Sequence, residues 1–227
     1  TGLMKGKNLQ NENNIKLNNI IEIAKDILNK CETYELHPIY NLIRIINDSY
    51  TNKYMMDFLS QNSVNYIDNV IRLNKIFFKK IKLNNETLPI DKIVFKNKVI
   101  NSTEIDFSVD SIIASPWSRF KFVQNICNIG EGLKYGSWNN YNQNGILILP
   151  LGIFILNGGG NHSVSIAVSE HKVKISCSNI YNIDYLYDNI YFDGTNYKNI
   201  NNNLILVKNC CFQYGTIFEV GRLIREF

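Results

Sequence analysis

The chain of 227 residues has little with which to brace itself covalently: five cysteines, four prolines and no pair of cysteines at C-x-x-C spacing. Cys31, Cys127, Cys177, Cys210 and Cys211 are scattered and odd in number, which argues against both a zinc ribbon and a disulfide framework. Free thiols with no cleavable leader predict a reducing compartment, the cytoplasm. No G-x-x-x-x-G-K-[ST], H-E-x-x-H or G-x-S-x-G occurs, so P-loop, zincin and nucleophile-elbow chemistries drop out. The longest apolar stretch, from Gly145 to Leu156, is broken by Pro150 and too short to cross a bilayer, so it predicts paired core strands and no membrane partner. Concentrated charge is missing too. Net charge is +4, with 12 basic and 9 acidic residues before a cut at residue 88 and 12 and 11 after it. Duplex nucleic acid held through its phosphates calls for a basic stripe, and only the run from Lys75 to Lys80 approaches one. That run reads as a solvated helix edge.

What is present argues for a folded protein: 45% of residues are hydrophobic and 12% aromatic. The abundance of Asn, Ile and Lys reads as coding bias, so the sequons at Asn85, Asn101 and Asn161 are taken as unglycosylated. From residue 13 to 82 the apolar period is helical, with one stripe through Ile20, Ile21, Ala24, Ile27 and Leu28 and a second through Ile39, Leu42, Ile43 and Ile46. Ser63 is expected to cap a third helix carrying Ile67, Val70, Ile71, Phe77 and Phe78. Beyond Pro89 the pattern shifts to strands at 92–95, 98–100, 105–109, 146–149, 152–156, 173–177 and 204–207. A helix is expected over 116–129 with Phe120, Val123 and Cys127 facing inward, and another over 214–227. The fold class is therefore α+β: a helical extension over 1–88 and an α+β domain over 89–227.

The densest signal is Asn157-Gly158-Gly159-Gly160-Asn161-His162-Ser163, between an apolar strand and a short helix. Three glycines allow positive φ and close backbone approach, and a helix opening behind them offers free N–H groups and a positive dipole end. That combination suits a phosphate. His162, at a helix start, is expected to have a depressed pKa and to serve as a base or hydrogen-bond donor. His37 and His171 read as capping or surface residues. Glu131, between Gly130 and Gly132, is the candidate carboxylate partner; Arg119 and Lys121 are candidate cations. Trp117, Tyr135, Trp138 and Tyr141 are candidates for stacking on a base.

The succession strand, glycine turn, Asn-His-Ser, helix and strand resembles the ParB/sulfiredoxin-like superfamily, whose signature is a glycine, a polar residue, then Arg or His followed by Arg. Gly160, Asn161, His162 and Ser163 stand at these positions. The segments Ile112 to Trp117 and Gly136-Ser137-Trp138 look like the family's proline-containing segment and glycine turn, so the likeness spans about residues 90–180. It implies a ParB/sulfiredoxin-like mixed sheet and a nucleotide-phosphate site at Gly158, Gly159, Gly160, Asn161 and Ser163, with Arg119, Trp117 and Trp138 contributing. Asn161 replaces sulfiredoxin's cysteine, which removes sulfinic acid reduction, and Ser163 replaces the second basic residue, which removes a bidentate phosphate clamp. The function expected first is binding of a nucleotide or other phosphorylated ligand with phosphoryl transfer or hydrolysis, His162 and Glu131 being catalytic and Mg²⁺ offsetting phosphate charge. Two alternatives stay open: a nuclease-like protein of a bacterial defence or plasmid system, and a non-catalytic interaction module.

Overall fold

The computed structural model describes residues 2–31, 37–62, 66–139 and 144–227, with side chains from residue 8 onward. Two long helices, α1 (Gly2–Lys30) and α2 (Ile39–Ser60), lead into a 3₁₀ turn (Ile67–Asn69) and a single helical turn, α3 (Leu73–Ile76). A hairpin of β1 (Lys80–Leu83) and β2 (Glu86–Pro89) follows, then α4 (Ile90–Lys96), β3 (Lys98–Val99), β4 (Thr103–Asp106), β5 (Ser111–Ile113) and α5 (Arg119–Ile126). The second half runs β6 (Gly145–Leu149), β7 (Ile153–Leu156), α6 (Asn161–Glu170), β8 (Lys174–Cys177), β9 (Ile180–Asn182), α7 (Asp184–Tyr187), β10 (Ile190–Phe192), β11 (Tyr197–Asn199), β12 (Ile205–Val207) and α8 (Phe212–Glu226). The protein is thus a mixed α+β fold with several small sheets.

Its centre is a five-stranded sheet in the order β3-β9-β6-β7-β5. β5 runs parallel to β7 and β6 parallel to β9, whereas β6 and β7 are antiparallel. Successive side chains of a strand point to opposite faces. Ile146 and Ile148 of β6, Ile153 and Ile155 of β7 and Ile113 of β5 enter one core, while Leu147, Phe154, Leu156 and Ile112 enter another. A sheet covered on both faces needs unbroken apolar strands rather than alternating ones, which is why the run from 145 to 156 carries no polar side chain. The first core is closed by α1, α2 and α8 through Leu17, Ala24, Ile39, Ile43, Ile217 and Phe218. The second is closed by α6 and the β4–β8 pair through Val164, Ala167, Ile105 and Ile175. Buried Asn47 of α2 donates to Ile112 O of β5 (3.2 Å) and accepts from the Tyr214 hydroxyl of α8 (3.4 Å), joining three elements at one side chain. The N-terminal helices therefore share their core with the central sheet.

Several expected elements are corrected. Residues 80–83 are a strand and not the end of a helix: Lys80 and Lys82 face solvent while Ile81 and Leu83 are buried, a period of two. Asn84 and Asn85 turn the hairpin at φ 48° and 66°, a left-handed pair that asparagine tolerates. The continuous third helix is replaced by the 3₁₀ turn and α3; its expected cap, Ser63, lies outside the described residues. The segment 92–95 is helical, because Ile90, Ile93 and Val94 bury at i, i+3 and i+4 behind Pro89, with Asp91 in the first turn. α5 begins after Ser118, whose Oγ accepts from Lys121 N (3.4 Å). Its expected inner face points outward, with Phe120 70% and Val123 50% exposed and Cys127 exposed too. Phe122 of the same helix packs inward, edge-on to Phe58 at 5.4 Å.

Gly145 lies opposite the Phe154 ring, where a Cβ would come within 1.8 Å of Cζ. Gly145→Ala should therefore lower unfolding free energy by about 1–3 kcal/mol, as overpacking does, and Gly145→Ala with Phe154→Leu should recover part of it. Urea denaturation of the three variants checks this.

Candidate functional site: the glycine turn and the opening of α6

β7 delivers the chain to a turn in which Gly158 and Gly160 take φ 125° and 94°, both in the region that excludes most side chains. Gly160 occupies the N-cap position and offers no capping side chain. Val164 N, bonded to Gly160 O at 2.9 Å, begins the helical ladder. The N–H groups of Asn161, His162 and Ser163 consequently have no acceptor among the described residues.

The side chains of Asn161 and His162 turn the other way. Asn161 Oδ1 accepts from Ser115 N (2.8 Å) while its Nδ2 donates to Gly158 O (3.0 Å). His162 Nε2 accepts from both Ser118 N (2.9 Å) and Trp117 N (3.2 Å). The segment they hold, 115–118, leaves β5 and is met elsewhere by Tyr54, whose hydroxyl donates to Pro116 O (2.8 Å), and by Tyr66 N, which donates to Trp117 O (2.6 Å). Ser115 Oγ in turn accepts from Ile71 N (3.1 Å). A buried backbone needs its polar groups paired, and here side chains perform what a neighbouring strand would do.

His162 is therefore buried with its Nε2 lone pair engaged, which puts the proton of the neutral ring on Nδ1. Burial first, and the charge of Lys121 second, push its pKa down to about 4. The expected depression is present, but the helix dipole is not its leading cause, and an imidazole so engaged is not placed as a general base. The Trp117 ring stands edge-on to it at 5.2 Å with Lys121 Nζ 5.1 Å above that indole.

Beside the turn lies a cavity of about 510 Å³ bordered by Ser163, Trp138, Tyr135, Ser137 and Ile129. Ser163 Oγ donates to Gly160 O (3.2 Å) and keeps its lone pairs. Trp138 is steadied by its ring against Phe107 (5.9 Å) and by its main-chain N–H, which donates to Glu170 Oε2 (3.4 Å). Glu170 sits at the far end of α6 and was not a sequence candidate for this cavity.

The other expected site residues divide. Trp138, Tyr135 and Ser163 meet at the cavity; Gly158 and Gly159 are exposed beside it. Trp117 is absent from that lining and packs on His162. Glu131 lies outside the lining of the cavity: its side chain is 89% exposed and pairs with Lys172 at 3.8 Å, between Gly130 and Gly132 at φ 147° and 79°. Arg119 opens α5 exposed to solvent, while Lys121 is a cation whose charge acts on His162. Tyr141 lies outside the described residues. His37 Nδ1 accepts from Ile39 N (3.1 Å), a capping role, and His171 closes α6 at φ 52°. No group of three His, Cys, Asp or Glu suited to a metal occurs among the described residues, and the lining of the cavity includes no carboxylate, so the side chains here do not fit a protein-held Mg²⁺.

Fold and site together define a mixed α+β protein with an uncapped helix start beside an aromatic cavity. A family model described as "Family of unknown function (DUF6710)" matches residues 3–227, and the chain belongs to that family. No curated protein and no solved structure matches it. No helix among the described residues is long and apolar enough to cross a membrane.

Two predictions concern the imidazole. His162→Ala should destabilise the fold by about 2–4 kcal/mol by stranding two buried N–H groups, whereas His162→Gln, which keeps an acceptor, should cost less. With a folded pKa near 4 against about 6.5 unfolded, the contribution of His162 is complete above pH 6.5 and declines as pH falls from there to 4, where only the unfolded chain gains the proton. Denaturation of wild type and His162→Gln across that window should show a flatter profile in the variant.

Proposed function

We propose that this protein binds a nucleotide, or a phosphorylated ligand with an aromatic group, at the opening of α6. The observation that carries the reading is that Ser163, in the first turn of a helix whose N–H groups at 161–163 have no acceptor among the described residues, borders the cavity together with Trp138. Phosphate oxygens suit the amides and the charge of Lys121, and a planar base suits the faces of Trp138 and Tyr135. The resemblance to the ParB/sulfiredoxin-like superfamily implies a phosphate at the same point, and a fold of that kind is part of the proposal. Binding is favoured over phosphoryl transfer or hydrolysis, because His162 is engaged with backbone and Glu131 lies outside the lining of the cavity. Any Mg²⁺ then arrives with the phosphates and makes no contact with the protein that the reading needs.

A second reading, contact with a single-stranded nucleic acid end, is favoured by one feature: exposed Phe120 between exposed Arg119 and Lys121 on α5. Thermal unfolding with ATP, AMP, pyrophosphate and short oligothymidylate, each with and without Mg²⁺, separates the two. A ligand that binds only the folded state at about 100 times its Kd stabilises by about 2.7 kcal/mol. Stabilisation by AMP and ATP that Gly160→Val abolishes, with Trp138→Ala losing AMP more than pyrophosphate, is expected. Oligothymidylate acting where mononucleotides do not would favour the second reading. No shift with any of them would overturn both.

A further inference from the structure

On the other side of α6 a second cavity, of about 290 Å³, opens between α2, the β4–β5 loop and α6. Ser165 and Ser169 border it, and residues two positions from Ser163 lie on a nearly opposite face of a helix, so this cavity is separate from the one beside the glycine turn. Its apolar wall is formed by Met55, Phe107, Ile112 and Val168.

Beside Arg44, Asn52 and His171, the polar side of the cavity offers acceptors. Three hydroxyls border it, and each already donates to a main-chain carbonyl: Thr51 to Asn47 O (3.2 Å), Ser165 to His162 O (2.8 Å) and Ser169 to Ser165 O (3.3 Å). What they have left is lone pairs. Arg44 is committed as well, with Nη1 donating to Ser108 O and Nε 3.6 Å from Asp48 Oδ2. Asp110 Oδ2 accepts from Asp106 N (2.7 Å), and Lys174 pairs with Asp106 at 3.3 Å. Asp110 is therefore a half-buried carboxylate with no ion-pair partner among the described residues, and burial, with the charges of Asp106 and Glu104, raises its pKa against the hydrogen bond from Asp106 N and the charge of Arg44. A carboxylate held partly out of water without a cation is costly, and a ligand that brings the cation removes that cost.

We propose that this cavity is a binding site for a small organic cation, a primary ammonium on a short aliphatic stem, with the ammonium on Asp110 and Asp48 and the stem against Met55, Phe107 and Val168. An ammonium has three donors and no acceptor, the complement of Asp110, Asp48 and the three hydroxyl oxygens. An anion would meet the two carboxylates, and an alcohol would leave Asp110 uncompensated.

The test is calorimetric titration of the full chain at pH 7 and constant ionic strength with n-butylammonium chloride, beside n-butanol, sodium butyrate and magnesium chloride. Saturable binding of n-butylammonium alone is expected, weakened on the order of tenfold by Asp110→Asn, which keeps an acceptor for Asp106 N while removing the charge. Asp48→Asn, at a side chain 47% exposed, should also weaken it and decides the matter if circular dichroism shows the Asp110 variant unfolded. Absence of n-butylammonium binding, equal binding of butanol, butyrate or magnesium, or unchanged affinity in the folded variants would overturn the proposal.

Discussion

The fold around the candidate site depends on one constraint: a stretch of chain that leaves the central sheet must pass through the interior with its main-chain polar groups paired. Ser115 to Ser118 do this without a strand partner. Asn161 and His162 accept three of their N–H groups, and Tyr54 and Tyr66 serve Pro116 O and Trp117 O. Each of these bonds spans long sequence separation, so the segment ties α2, β5 and α6 into one unit. An interior amide left unpaired costs about 1–3 kcal/mol, enough for this set of contacts to decide whether the site region is ordered.

This constraint also explains why the glycine turn looks as it does. For Asn161 and His162 to reach back to 115–118, the chain must reverse within a few residues of β7 and start a helix at once, and Gly158 and Gly160 at positive φ permit that. A consequence is that the helix start carries no capping side chain: the N–H groups of 161–163 have no acceptor among the described residues, and Ser163 borders the cavity with Trp138.

Much of the fold was legible. The strands expected at 146–149 and 152–156 and the helix expected over 214–227 announced themselves, within two residues of β6, β7 and α8, because burial on two faces, or along one wide stripe, leaves an apolar pattern in the residues themselves. The hairpin over 80–89 was hidden for a specific reason: its turn is made by Asn84 and Asn85, and in a chain so rich in asparagine a pair of them carried no weight, although Lys80-Ile81-Lys82-Leu83 alternates. The face of α5 was misread because hydrophobic spacing gives a stripe without saying whether anything covers it; Phe120 and Val123 have the right period and remain exposed. At the site, the glycine turn and Trp138 were visible, whereas the engagement of His162 depends on amides 44 and 45 residues upstream, which local spacing does not reveal. The exposed position of Glu131, paired with Lys172, is likewise not revealed by local spacing.

The central claim, that His162 is a neutral acceptor fastening 115–118 and not a catalytic base, is tested most directly by ¹⁵N NMR of the imidazole in the folded chain. The account predicts a ring protonated on Nδ1, an Nε2 shift typical of a hydrogen-bonded lone pair, and titration near pH 4. An Nε2–H tautomer, or titration near 6.5 like a free histidine, would contradict it.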